Sequence, residues 1–180
     1  MAILKIARMG HPTLKGIAEK VADPTTSEIH NLIKDMRETM EDAGGVGLAA
    51  PQVHIPLRLV IFQIPPTVSE TDDDDVGAPV GQVLINPIIT PLSEEMELGW
   101  EGCLSVPEMR GAVPRYAHIR YQGVDEKGVE IDREVHDFHA RVVQHECDHL
   151  DGVLYPMRMT DLTSFHFVSE MRFNTGENNT

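Results

Sequence analysis

Gln144-His145-Glu146-Cys147-Asp148-His149 places two histidines four residues apart, with a glutamate beside the first. On an α-helix a four-residue step returns to within roughly 40° of the same face, one turn along. Both imidazoles can then hold one metal ion. Glu146, roughly 80° off their shared direction, can reach a water on that ion without being a ligand. A metal lowers such a water's pKa toward neutrality, and a carboxylate can take and redeliver its proton. The pattern predicts hydrolysis.

The surrounding residues favour a helix. Phe138, Val142, His145 and His149 recur at three- and four-residue steps, so the metal face continues a partly apolar, inward-facing stripe. Asp137 is the expected N-cap and Gly152 the expected stop. The plain alternative is a helix that carries two histidines and no ion.

Composition bounds the rest. A chain of 180 residues suggests one domain over positions 1–172, with a disordered tail at 173–180. Fifteen basic against twenty-nine acidic residues give a net charge of −14, which argues against general electrostatic binding of nucleic acid. No apolar run approaches the roughly 18 residues of a membrane span, and no export signal opens the chain. Two cysteines in such a chain suggest a reducing, cytoplasmic setting.

Upstream, residues 1–24 read as a loop-rich arm packed over the core. Ile29, Leu32, Ile33, Met36 and Met40 then sit at helical spacing, with Thr26 or Ser27 as cap and Gly44-Gly45 as stop. Gly45-Val46-Gly47-Leu48-Ala49-Ala50-Pro51-Gln52 is either a close backbone approach or a simple helix-to-strand turn with Gln52 as a surface amide. Leu57 to Ile64 predicts a buried strand, and Val83 to Ile89 another, interrupted at Asn86-Pro87. The segment between, with Asp72 to Asp75, predicts a mobile loop bearing a solvated charge cluster. His118 to Val124 and Val129 to Asp132 predict a hairpin across Asp125-Glu126-Lys127-Gly128. Asp161 to Arg172 predicts a short final helix.

A hydrolytic site needs three protein ligands and an open position, and the helix supplies two. The third ligand separates the known designs. Tyr155 stands where a metzincin would have its third histidine. A thermolysin-like site would need a downstream glutamate, and only Glu170 and Glu177 remain. Cys103, expected in a loop at Gly102-Cys103-Leu104 between β-type segments, is a candidate, because a thiolate binds zinc or iron(II) strongly. Cys147 points roughly 200° round the helix from His145 and is poorly placed.

Three stretches now stand together: Gly45 to Gln52, Glu101-Gly102-Cys103-Leu104-Ser105, and Gln144 to His149. In order and separation they resemble the signature motifs of the peptide deformylase family, and the resemblance spans Ile3 to about Met159. It implies removal of the formyl group from the N-terminal formyl-methionine of new polypeptides. It further implies a divalent metal, ferrous iron in the cell and zinc, nickel or cobalt in vitro, held by Cys103, His145 and His149. Glu146 would move the proton, while the Gln52 side-chain amide and the Leu104 N–H would stabilise the oxyanion. Gly47 would let backbone approach the formyl group, and Val46, Trp100, Phe138 and Val142 would wall a methionine pocket, with Arg141 pointing elsewhere. The expected partners are formyl-methionyl nascent chains, met transiently at the ribosome, and the expected compartment is a bacterial cytoplasm, with a processed organellar chain as the alternative. The tail is too short and not basic enough for a ribosome-docking helix.

The expected fold is α+β: short antiparallel or mixed sheets around a central metal-binding helix, with a second, N-terminal amphipathic helix. Two other readings stay open, another H-E-x-x-H metallo-amidase or peptidase and a non-catalytic metal-binding module.

Overall fold

The computed structural model describes residues 2–64 and 81–173. Asp72 to Asp75 and the tail beyond 173 lie outside the described residues.

An N-terminal arm crosses the surface and buries Ala7, Leu14 and Ala18. Helix α1 (Ser27–Asp42) follows, and its N-cap Thr26 accepts a hydrogen bond from the Ile29 N–H. This satisfies one of the donors that a helix start leaves without a partner. Ile29, Ile33, Met36 and Met40 form its buried stripe. The strands are β1 (Gly47–Ala49), β2 (Leu59–Phe62), β3 (Gln82–Pro91), β4 (Met96–Cys103), β5 (Val106–Tyr116), β6 (His118–Val124) and β7 (Glu130–His136). Helix α2 (Asp137–Leu150) and the two-residue strand β8 (His166–Phe167) complete the described elements, apart from short 3-10 turns.

The strands form two sheets, ordered β1-β2-β3-β6-β7 and β4-β5-β8, and each named pairing is antiparallel. One isolated parallel bridge, Glu19 with Leu57, ties the arm to the larger sheet. Strand β2 is buried on both faces, and its alternation assigns those faces. Leu59 and Ile61 pack with the α1 stripe, whereas Val60 and Phe62 pack with Ala140, Val143, Cys147 and Leu150 of α2. The larger sheet is therefore sandwiched between the helices. On its far side α2 meets β5 and β4, so it runs between the two sheets.

That position explains why every residue from His139 to Leu150 is buried. Burying side chains such as Val143 and Leu150 stabilises by about 1.5–3 kcal/mol each, which offsets the cost of enclosing the polar members of the same helix.

The break expected at Asn86-Pro87 is a register shift between Ile85 and Ile88. Asn86 takes φ 53, and its side chain makes two 2.9 Å hydrogen bonds with the Val21 backbone. Gly152 stops α2 at φ 71, and a Cβ there would lie 2.7 Å from the Lys15 carbonyl oxygen.

Three local expectations are corrected. Asp137 is the first helical residue at φ 51 rather than the cap; His136 holds the cap position, with no side-chain cap hydrogen bond. Cys103 ends a strand instead of sitting in a loop. Residues 161–172 form two 3-10 turns flanking β8, because β5 offers its edge to His166 and Phe167.

Candidate metal centre

Two constraints fix the three candidate ligands. His145 and His149 lie one turn apart on α2, with ring centroids 5.0 Å apart. Cys103 arrives where β4 ends, at a register shift after Gly102. Ligand atoms of Cys103, His145 and His149 all lie within 4.8 Å of one another, the one such group of histidine, cysteine and carboxylate side chains found among the described residues.

The donor chemistry fits a cation. Nδ1 of His145 lies 2.8 Å from Oε2 of Glu101. Burial works against the Glu101 charge, but hydrogen bonds from His145 and Arg115 outweigh it and hold the carboxyl at about 2. An ionised carboxylate only accepts, so Nδ1 carries the proton and Nε2 keeps its lone pair for a metal. Nε2 of His149 faces the Cys103 sulfur at 3.4 Å, and its buried Nδ1 has no hydrogen-bond partner. Cys147 faces the other way, into the core beside Val60 and Phe62, where burial pushes its thiol far up.

Glu146 stands beside this group. Burial pushes its carboxyl up to about 7, and its Oε2 has no partner. A carboxyl poised near neutrality can both take and return a proton. Its room comes from Gly47, where a Cβ would sit 2.1 Å from Glu146 Oε1.

Gln52, on a 3-10 turn at Ala50–Val53, is buried and far from being a surface amide. Its Oε1 accepts from the Ala49 N–H at 2.8 Å. That fixes the flip of the amide and turns Nε2 toward Ser105 Oγ at 3.1 Å and Cys103 Sγ at 3.5 Å. Ser105 also donates its backbone N–H to the Cys103 sulfur at 3.4 Å. Leu104, between them, packs its side chain toward the α1 cluster.

A cavity of about 550 Å³ opens here, lined by Val46, Gly47, Trp100, Phe138 and Val142 together with Cys103, His145 and Glu146. Arg141 also lines it, contrary to the expectation that it points away. Its guanidinium hydrogen-bonds Glu97 O, Gly99 O, Val113 O and Glu101 Oε1 at 2.8–3.3 Å.

Sequence reasoning missed the ionic frame behind the ligands. Glu101 and Asp148 lie within the signature stretches but drew no role; Arg115 and Arg158, which complete the frame, lie outside them and carry no spacing signal. The other histidines stay out of the centre. His136 stacks on His118 at 3.9 Å, and His139 packs between Phe62 and Tyr121.

A cysteine and two helix histidines around a buried glutamate, at the floor of an open cavity, define a metal-dependent hydrolase. Residues 3–165 match the sequence profile of the family described as polypeptide deformylase. Peptide deformylase 1 of Nitrosomonas europaea is 50% identical over 94% of each chain, and peptide deformylase 1 of Bordetella pertussis 56% identical over 90% of each. A solved class I type b peptide deformylase from Acinetobacter baumannii, bound to Met-Ala-Ser, aligns with TM-score 0.77 and 38% identity. That alignment covers 88% of this chain and 100% of the other. The chain belongs to the polypeptide deformylase family: it is a hydrolase that removes the N-formyl group from nascent peptides.

Proposed function

We propose that Cys103, His145 and His149 hold one divalent cation, ferrous iron in the cell, and that the substrate is the N-terminal formyl-methionine of a new chain. The observation that carries this reading is the cluster of three ligand atoms beside Glu146. When bound, the cation supplies Lewis acidity and lowers the pKa of water in its open position. Zinc, nickel and cobalt suit the same donors in vitro.

The chain's own residues do the rest. Glu146 takes a proton at its carboxylate and returns it to the leaving amine nitrogen. The Gln52 Nε2–H and the Leu104 backbone N–H supply donors for the oxyanion; the Ala49 hydrogen bond holds the first with its Nε2 on the Cys103 side. Val46, Trp100, Phe138 and Val142 receive the methionine side chain. Gly47 lines the cavity, where its backbone lets the formyl group come close, and its missing side chain also leaves room for Glu146.

Contact with ribosome-bound chains is transient in this reading, and the net charge of −14 supports no direct nucleic-acid binding. The relatives named above are bacterial, which supports a bacterial cytoplasm; no helix among the described residues is long and apolar enough to cross a membrane.

The test is formate release from a formyl-Met peptide by protein purified without oxygen and loaded with iron(II). Release by wild type, lost in Glu146→Ala with metal retained and in Cys103→Ser with metal lost, supports the roles. Equal release by Glu146→Ala rejects them.

A further inference from the structure

The ionic groups between α2 and the smaller sheet include a chain of alternating charge, with Arg141 as a branch whose Nη1 donates to Glu101 Oε1 at 3.0 Å. It starts at Arg158, whose side chain is 50% exposed and whose Nη2 and Nε donate to Oδ1 and Oδ2 of Asp148 at 2.7 and 3.1 Å. Asp148 Oδ2 also accepts from Arg115 Nη1 at 2.6 Å. Arg115 then places Nε and Nη2 on the two oxygens of Glu101, at 2.9 and 3.0 Å. Glu101 Oε2 closes the chain on Nδ1 of His145 at 2.8 Å. All members after Arg158 are buried.

The rigidity of this chain lies in Arg115. A guanidinium is planar, so its fork on Glu101 and its third donor on Asp148 cannot be aimed independently. Asp148 Oδ2 is shared by two arginines. Without Arg158, Asp148 Oδ1 loses its donor, and the carboxylate turns to recover one from Arg115 Nη1 or from water, which shifts the guanidinium and its fork against Glu101.

We propose that Arg158 is a positioning residue for His145: through Asp148, Arg115 and Glu101 it fixes the ring orientation and the Nδ1–H tautomer that present Nε2 to the metal. The inference rests on Cys103, His145 and His149 being the metal ligands. Two simpler roles predict different results. A mere tether of the C-terminal segment would change thermal stability alone. A mere distant cation would repel a dication, so its removal would tighten metal binding.

The test is titration of Co²⁺ into metal-free full-length protein, with the Kd read by chelator competition and the ligand geometry by the visible absorption of bound Co²⁺. Arg158→Gln should weaken binding about 3- to 10-fold and shift the absorption, less than the roughly 10- to 100-fold lost when a ligand's direct hydrogen-bond partner is removed. Arg158→Lys should recover part of the loss. In a Glu101→Gln background Arg158→Gln should add almost nothing, because the chain is already cut. Arg120→Gln, which breaks the exposed pair with Asp132 on the β6–β7 hairpin, should change neither readout. An unchanged Kd and absorption in Arg158→Gln, a tighter Kd, or full additivity with Glu101→Gln would overturn the inference. Wild type binding Co²⁺ no better than Cys103→Ser would reject the ligand assignment itself, and this inference with it.

Discussion

A Cβ on Gly47 would stand 2.1 Å from Oε1 of Glu146 and 2.5 Å from its Cδ. No real Cβ contact is that short, so the carboxylate holds its place only because residue 47 has no side chain. Gly47→Ala therefore has to displace Glu146. The displaced group is mainly the end of a flexible side chain, so stability stays near wild type. The deformylation rate falls about 10²-fold, the scale of a misplaced general base. Paired thermal melts and formate-release assays would show it.

Gln52 makes a contrasting case. Gln52→Ala removes the pre-aimed Nε2 donor but no metal ligand. The expected result is a kcat lower by about 10²- to 10³-fold, with metal content unchanged by elemental analysis.

The two cysteines should separate chemically. Cys103 is half-buried at the cavity, whereas Cys147 is buried in the core with its thiol pushed up. A thiol reagent should label metal-free native protein once, at Cys103, and metal-loaded protein much more slowly; peptide mass spectrometry locates the label. Rapid labelling of Cys147 in folded protein would contradict the packing.

Acid should erase the benefit of Glu101. Its folded-state carboxyl, at about 2, lies below the ordinary 4.5, so its stabilising effect is fully present above pH 4.5 and is lost as pH falls toward 2. In metal-free protein, Glu101→Gln should melt well below wild type at pH 6. The gap should narrow steadily between pH 4.5 and pH 2.

Asn86 joins two parts of the chain. Asn86→Ala removes both hydrogen bonds to Val21 and places alanine at φ 53. Two hydrogen bonds at about 1 kcal/mol each, with about 1–2 kcal/mol for the left-handed backbone, predict a loss of roughly 3–4 kcal/mol in urea unfolding. Catalysis by the folded fraction should survive.

Sequence showed the local parts of this molecule more readily than the remote ones. Helical spacing exposed both stripes, and the Asn86-Pro87 step marked the break in β3, because these are properties of neighbouring residues. His145, Glu146 and His149 were visible for the same reason. Cys103 was legible only as a candidate third ligand and Gln52 needed the resemblance, since nothing local says that a strand end and a 3-10 turn meet one helix. The Arg158–Asp148–Arg115–Glu101 frame had no signature, because its members come together only when β4, β5, α2 and the C-terminal segment fold. Asp137 misled: a good cap residue was outcompeted by His136, whose extended backbone ends β7.

The place of α2 between two sheets also divides the ligands by how they can let go. Amide hydrogens from His145 to His149 are enclosed on both sides, so they should exchange with solvent only when the whole domain opens. Cys103 ends β4, an edge strand of the smaller sheet, whose outer row of Met96, Leu98 and Trp100 is exposed. Local fraying there is far cheaper. Of the three proposed ligands Cys103 therefore sits on the least enclosed element, and its amide should exchange faster than those of His145 and His149.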